Sequence, residues 1–167
     1  MKIAIDVYYD SSKAKAVGVI FDEWESEEPH EIITALIDQV EDYESGSFYK
    51  RELPCILKLL EQVDMHNIDT IIIDGYVYLG DITKAGLGMH LYNSLMGKIP
   101  IIGVAKTYFY ETSAVEVFRG TSKNPLYITS VGVETSKSAM YIRNMHGNFR
   151  MPKLLKLLDI ETRTWLH

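Results

Sequence analysis

The sequence predicts an α/β fold in which one mixed β-sheet, an antiparallel meander followed by parallel strands, is flanked by helices. Three observations carry the prediction. Three strand-like segments joined by polar turns open the chain, and after residue 47 the pattern changes to an alternation of helix and strand. Apolar residues make up 47% and charged residues 24% of the chain, the balance of an ordinary globular protein. Its 167 residues suit one domain able to bury about two-thirds of the surface of its unfolded form. No repeat, low-complexity tract or linker divides it, so residues 1–167 are expected to form a single domain.

The segment Lys2 to Tyr9 alternates, with Ile3, Ile5 and Val7 on one face and Ala4, Asp6 and Tyr8 on the other, and reads as a strand. A second strand, Ala14 to Asp22, follows the polar Asp10-Ser11-Ser12 turn; a third, Glu31 to Ile37, follows the acidic stretch around Glu25 to Pro29. Beyond a polar loop at Glu41 to Ser47, Leu53, Ile56, Leu57, Leu59, Leu60 and Val63 repeat at helical spacing, with Pro54 placed in the first turn, where its missing N–H is harmless. Thr70 to Asp74 is a short apolar run ending at Gly75, the signature of a buried strand. Lys84 to Met96 predicts the next helix and Ile99 to Ala105 the next buried strand. Ala114 to Phe118 and Leu126 to Val131 are strand-like, and helical pattern returns over Ser136 to Met145 and Lys153 to Asp159. This succession is that of ribonuclease H-like folds.

A net charge of −6, from 17 basic and 23 acidic residues, argues against broad, sequence-blind attraction to a phosphate backbone. A nuclease remains compatible with it, because a bound cation offsets carboxylate charge locally and phosphate contacts can be few. Cys55 is the single cysteine, so no internal disulfide or cysteine metal site can form, and it reads as a buried structural thiol. No signal-peptide pattern or bilayer-length apolar run is present, which points to a cytoplasmic protein with no membrane partner.

An aspartate within Ile3-Ala4-Ile5-Asp6-Val7 is costly unless paired, hydrogen-bonded or bound to a cation. Asp74, ending Ile71-Ile72-Ile73, poses the same question, and the ends of parallel strands are where α/β sheets place ligands. Two such carboxylates on neighbouring strands suit Mg²⁺, a hard ion that prefers oxygen. Each aspartate alone is better explained as an acceptor of turn amides, and Glu52, more strongly still, as an acid at a helix start.

The neighbouring blocks join the three. IAIDVYY at the first strand, YESGSFYKRE from Tyr43 to Glu52, TIIIDG ending in Asp74-Gly75, GLGMH from Gly86 to His90, IPIIGVAK from Ile99 to Lys106, SVG from Ser130 to Gly132 and FRMP from Phe149 to Pro152 occur in order. Over about 150 residues the chain resembles the endonuclease V family, with IPIIGVAK the most specific block. The resemblance implies a nuclease that hydrolyses a phosphodiester on the 3′ side of inosine or deoxyinosine in RNA or DNA. It assigns Asp6, Glu52 and Asp74 to Mg²⁺ or Mn²⁺, Lys106 to the phosphate, and Asp159 to a distal position beside the metal. It also assigns Tyr43 to a wedge beside the lesion, and Gly46, Gly75 and Gly86 to backbone walls around an extruded base, where absent side chains permit close approach.

Some positions depart from the family pattern. The wedge prolines are replaced by Asp42 and Ser45 with Glu44 between them, and Gly80 stands where an active-site histidine is expected. His90 lies in a predicted helix and reads as structural. A later glycine-histidine pair is Gly132-Val133, and a proline-glutamate-proline helix start is Pro152-Lys153-Leu154. Metal binding is therefore expected more firmly than the family's usual substrate. Two rival readings are a nucleic-acid-binding module that retains the fold but cleaves slowly or not at all, and an α/β small-ligand protein.

Overall fold

The computed structural model describes residues 1–38, 40, 49–80 and 84–164. Seven strands form one sheet in the order β3-β2-β1-β4-β5-β7-β6, with β1 Lys2–Asp10, β2 Lys13–Phe21, β3 Glu31–Ile37, β4 Thr70–Asp74, β5 Ile101–Ala105, β6 Val115–Val117 and β7 Leu126–Val131. The predicted meander is present: β1 pairs antiparallel with β2, and β2 with β3. β1, β4 and β5 then run parallel, as expected of strands separated by helices. The far edge reverses, β7 running antiparallel to β5 and β6 antiparallel to β7.

Period-two alternation sends apolar side chains to both faces of the central strands, and each face is covered. On one, Ile3, Ile5, Ile71 and Ile73 pack under α1 (Tyr49–Leu60) and α2 (Leu87–Ser94), through Ile56, Leu59 and Leu91. On the other, Ala4, Val19, Ile72, Ile102 and Val104 meet α3 (Thr135–Arg143) and α4 (Lys153–Arg163), through Ile142, Leu154, Leu155 and Leu158. Each fully buried Ile or Leu contributes about 1.5–3 kcal/mol relative to exposure, so this double-sided core fixes the strand ends on which the site stands. Cys55 is buried among it. None of the described helices is long and apolar enough to cross a membrane.

The helix boundaries differ from the sequence prediction for identifiable reasons. α1 includes Tyr49 to Glu52, so Pro54 falls beyond the first turn and removes one helical donor, while Glu52 takes the first-turn position. α2 is shorter than Lys84 to Met96: Ala85 bridges to Tyr78 before Gly86 caps the helix, and Met96 and Gly97, both at positive φ, follow its end. α4 runs one turn beyond Asp159, because Thr162 continues its buried face.

Two arginines tie the segment between α3 and α4 to the sheet. Arg119 is buried, and its guanidinium donates to the carbonyls of Arg143, Met145, Gly147, Phe149 and Arg150. Arg150 in turn donates to the carbonyls of Lys106 at 2.5 Å and Pro125 at 2.7 Å. These bonds bring the start of α4 to the end of β5.

Candidate active site

Strand register creates the site. Ile5 pairs with Ile73 in parallel, so the next residues, Asp6 and Asp74, lie side by side just past the last paired residues of the two strands. Asp74 is at the end of β4 and Asp6 midway along β1, which continues to Asp10 against β2. Their parity is that of Ala4 and Ile72, which directs both toward α4. Asp74 pairs with Val104, and Lys106 follows two residues later with the same parity. Lys106 Nζ lies 3.9 Å from Asp74 Oδ2 and 4.0 Å from Asp159 Oδ1 on α4. Asp6, Asp74, Lys106 and Asp159 thus line one small cleft of about 20 Å³, floored by Ile72, Val104 and Leu158.

Glu52 reaches the strand ends from α1, which covers the opposite face, and is buried. Its neighbours are Tyr9 and Arg51, whose guanidinium lies 3.5 Å from the centre of the Tyr9 ring. Tyr9 Oη is close enough to Glu52 to affect its titration, yet it makes no well-formed hydrogen bond among the described residues; the same is true of Arg51 Nε. Burial pushes the Glu52 carboxyl up to about 8, Tyr9 and Arg51 oppose the rise, and the charges of Asp6 and Asp74 add to it.

Asp6 is pushed up to about 7, first by burial and then by Asp74; the Val7 N–H, which donates to its Oδ1 at 2.8 Å, opposes this. At Asp74 burial raises the carboxyl, Lys106 opposes, and Asp159 adds to the rise. Asp159 behaves oppositely. Burial would raise it, but the Arg163 Nε–H at 3.1 Å and the ammonium groups of Lys106 and Lys156 hold it below the usual carboxylate range.

The donor set is wholly carboxylate oxygen, the chemistry preferred by Mg²⁺, Mn²⁺ or Ca²⁺ over softer metals. Asp6, Glu52 and Asp74 all carry raised pKa values, which is what negative groups near one another in a partly dry setting show when a cation would stabilise their charged forms. The residues fit such an ion in kind and neighbourhood. As placed they do not form a finished cage: among the described residues no three His, Cys, Asp or Glu side chains converge closely enough to hold a metal. Glu52 approaches from α1, which covers the face of the sheet opposite that of Asp6 and Asp74.

A pH effect follows. An acid whose folded pKa lies above its unfolded value binds its proton more tightly when folded, so its stabilisation is complete below about pH 4 and disappears as pH rises. That loss runs through about 7 for Asp6 and about 8 for Glu52. In EDTA, the Tm should fall from pH 4 to pH 8 by at least about 3 °C more for the native chain than for Asp6→Asn/Glu52→Gln. Parallel curves in differential scanning fluorimetry would contradict the assignment of these shifts.

Of the other sequence-selected residues, Gly75 adjoins Asp74 at φ +138°, a conformation suited to glycine, and a Cβ there would meet nothing within 4 Å. Gly86 stands at the start of α2, where a Cβ would lie 2.6 Å from the Tyr76 carbonyl oxygen, so close packing alone requires it. Tyr43 and Gly46, with Asp42, Glu44 and Ser45, lie outside the described residues. His90 stacks on Tyr49 with ring centres 3.6 Å apart, in keeping with the structural reading. Sequence reasoning assigned no role to Arg119, Arg150 or Arg163; only Arg150 carried a signal, its place in the FRMP block.

A family model described as endonuclease V matches residues 3–146. A candidate endonuclease of Schizosaccharomyces pombe is 27% identical over 144 residues, which are 77% of this chain and 56% of the relative. The chain thus spans little more than half the length of that curated relative. Among solved structures, human endonuclease V aligns with a TM-score of 0.74 at 21% identity, over 97% of this chain and 82% of that one. Endonuclease V of Ciona intestinalis, in complex with a 24mer DNA containing an inosine followed by a ribo-adenosine, aligns with a TM-score of 0.78 at 17% identity, over 97% and 84%. At these identities the structural likeness bears on the fold, which is the ribonuclease H-like mixed sheet expected from the sequence.

Proposed function

The chain belongs to the endonuclease V family, and on that premise we propose that it is a divalent-metal-dependent endonuclease that hydrolyses a phosphodiester bond 3′ to inosine, deoxyinosine or another modified base in RNA or DNA. The observation that carries this reading is the pair of carboxylates on adjacent parallel strands, Asp6 and Asp74, side by side with Lys106 in one cleft. The inosine-containing DNA bound by the Ciona relative supports the substrate class. The lone buried thiol, Cys55, suits a reducing compartment such as the cytoplasm.

Asp6, Glu52 and Asp74 would hold Mg²⁺ or Mn²⁺, which when bound supplies an activated water and stabilises the departing 3′ oxygen. The chain's own groups do the rest. Lys106, paired only loosely with Asp74 and Asp159, is free to turn its ammonium to a phosphate oxygen and to stabilise charge there as the bond breaks. Asp159 holds Lys106 at the cleft while its own charge is balanced by Lys156 and Arg163. Ile72, Val104 and Leu158 limit water beneath the reacting phosphate. Gly75 and Gly86 would present backbone to the extruded base; the roles that the family resemblance gives Tyr43 and Gly46 fall on residues outside those described.

Incubation of labelled deoxyinosine DNA and inosine RNA with Mg²⁺ or Mn²⁺ tests the proposal: metal-dependent cutting on the 3′ side is expected, and intact substrates under every metal would refute it. Lys106→Ala should reduce kcat by roughly 100- to 1000-fold, the range for removing one transition-state donor, with little change in substrate affinity. An unchanged kcat would remove Lys106 from the chemistry. Gly80, at the position expected for a histidine, favours a second reading, a nucleic-acid-binding module that cuts slowly or not at all. Tight inosine-dependent binding without cutting would select it. The family match argues against a small-ligand protein.

A further inference from the structure

Beyond Lys106 the chain exposes three aromatic side chains in succession: Tyr108 is 56% exposed, Phe109 37% and Tyr110 76%. They stand on a braced loop. The Tyr76 hydroxyl, two residues after Asp74, donates to the Thr107 carbonyl at 2.6 Å and accepts the Phe109 N–H at 3.1 Å. The Tyr76 ring lies against Phe109 at 5.9 Å and that of Tyr108 against Tyr127 at 5.7 Å. At the far end, the Ser113 N–H donates to the Gly80 carbonyl at 3.2 Å. The backbone is therefore fixed at both ends while ring faces remain in water, beside the lysine assigned to the phosphate.

We propose that this loop is a stacking platform for unpaired bases and that its occupant is single-stranded nucleic acid continuing from the phosphate at Lys106. The inference rests on the proposed nuclease function. Two properties favour a single strand. Aromatic faces stack with every base but reach them only when the bases are unpaired. A chain of net charge −6 gains little from the phosphate backbone, so affinity has to come from contacts other than charge. Binding should then vary little with salt, unlike that of a basic nucleic-acid protein.

The test is fluorescence anisotropy with an unmodified, labelled single-stranded oligonucleotide in EDTA, where no cutting occurs, across a KCl series. Phe109→Ala and Tyr110→Ala should each weaken binding about 5- to 100-fold without changing the salt slope. Phe109→Trp and Tyr110→Phe should restore it, and binding of the blunt duplex should be the same for all variants. Tyr110 is so exposed that its removal should leave the circular dichroism spectrum unchanged. Native affinity in both alanine variants, equal losses on the duplex, or no single-strand binding by the native chain would overturn the platform. A chain that binds through the platform but cuts no substrate would instead overturn the nuclease reading.

Discussion

Asp6→Ala and Asp74→Ala are each expected to lower metal-dependent cleavage by well over about 100-fold, the upper loss for disturbing only an outer-shell partner of a metal ligand. The two residues stand side by side where the pairing of the parallel strands β1 and β4 stops, and no other described carboxylate of those strands lies in the cleft to take their place. The same substitutions should leave the metal-free protein intact. Asp6 is pushed up to about 7 by burial and by Asp74, so removing either charge relieves a repulsion. Loss of cutting together with an unchanged or higher Tm in EDTA separates a functional carboxylate from a structural one. Retention of more than a tenth of the native rate by both variants would show that the chemistry lies elsewhere.

The second large effect is on stability. Arg119→Ala strips a buried guanidinium from the carbonyls of Arg143, Met145, Gly147, Phe149 and Arg150. Stranded acceptors in a buried setting cost about 1–3 kcal/mol each where water cannot reach them. Even with partial hydration the loss should exceed roughly 3 kcal/mol, or about 10 °C in Tm. Arg119→Lys should recover only part, since an ammonium cannot span the carbonyls that the planar fork reaches. The effect should extend to the cleft, because Arg150, in the same segment, bonds the Lys106 carbonyl. A shift below about 2 °C in a thermal melt would mean that the segment between α3 and α4 holds its shape without Arg119.

The central strands were legible because an aspartate in an isoleucine-rich strand is costly, and both Asp6 and Asp74 interrupt such strands. Their lateral match was not legible, since it depends on the Ile5 to Ile73 register and thus on tertiary pairing. The reversed direction of β7 was hidden for a similar reason: Leu126 to Val131 has the same apolar pattern whichever way it runs. Glu52 drew notice only through the block resemblance, because an acid in the first turn of a helix is ordinary. Its arrival from the opposite face of the sheet could be seen only once α1 was placed. Arg119 gave no sign, lying in a polar stretch that reads as a surface turn and bonding carbonyls, which leave no side-chain pattern. The meeting of Lys106 with Asp159 depends on α4, whose apolar spacing at Leu154, Leu155 and Leu158 sets the face that carries Asp159 to the cleft.

The central claim, that Asp6, Glu52 and Asp74 together hold a divalent cation, is tested most directly by titrating the protein with Mn²⁺ and counting bound ions by electron paramagnetic resonance. The native chain should bind Mn²⁺ at a site for which Mg²⁺ competes, and Asp6→Asn, Glu52→Gln and Asp74→Asn should each weaken that binding at least about tenfold. Native-like Mn²⁺ binding in all three variants, or none in the native chain, would contradict it.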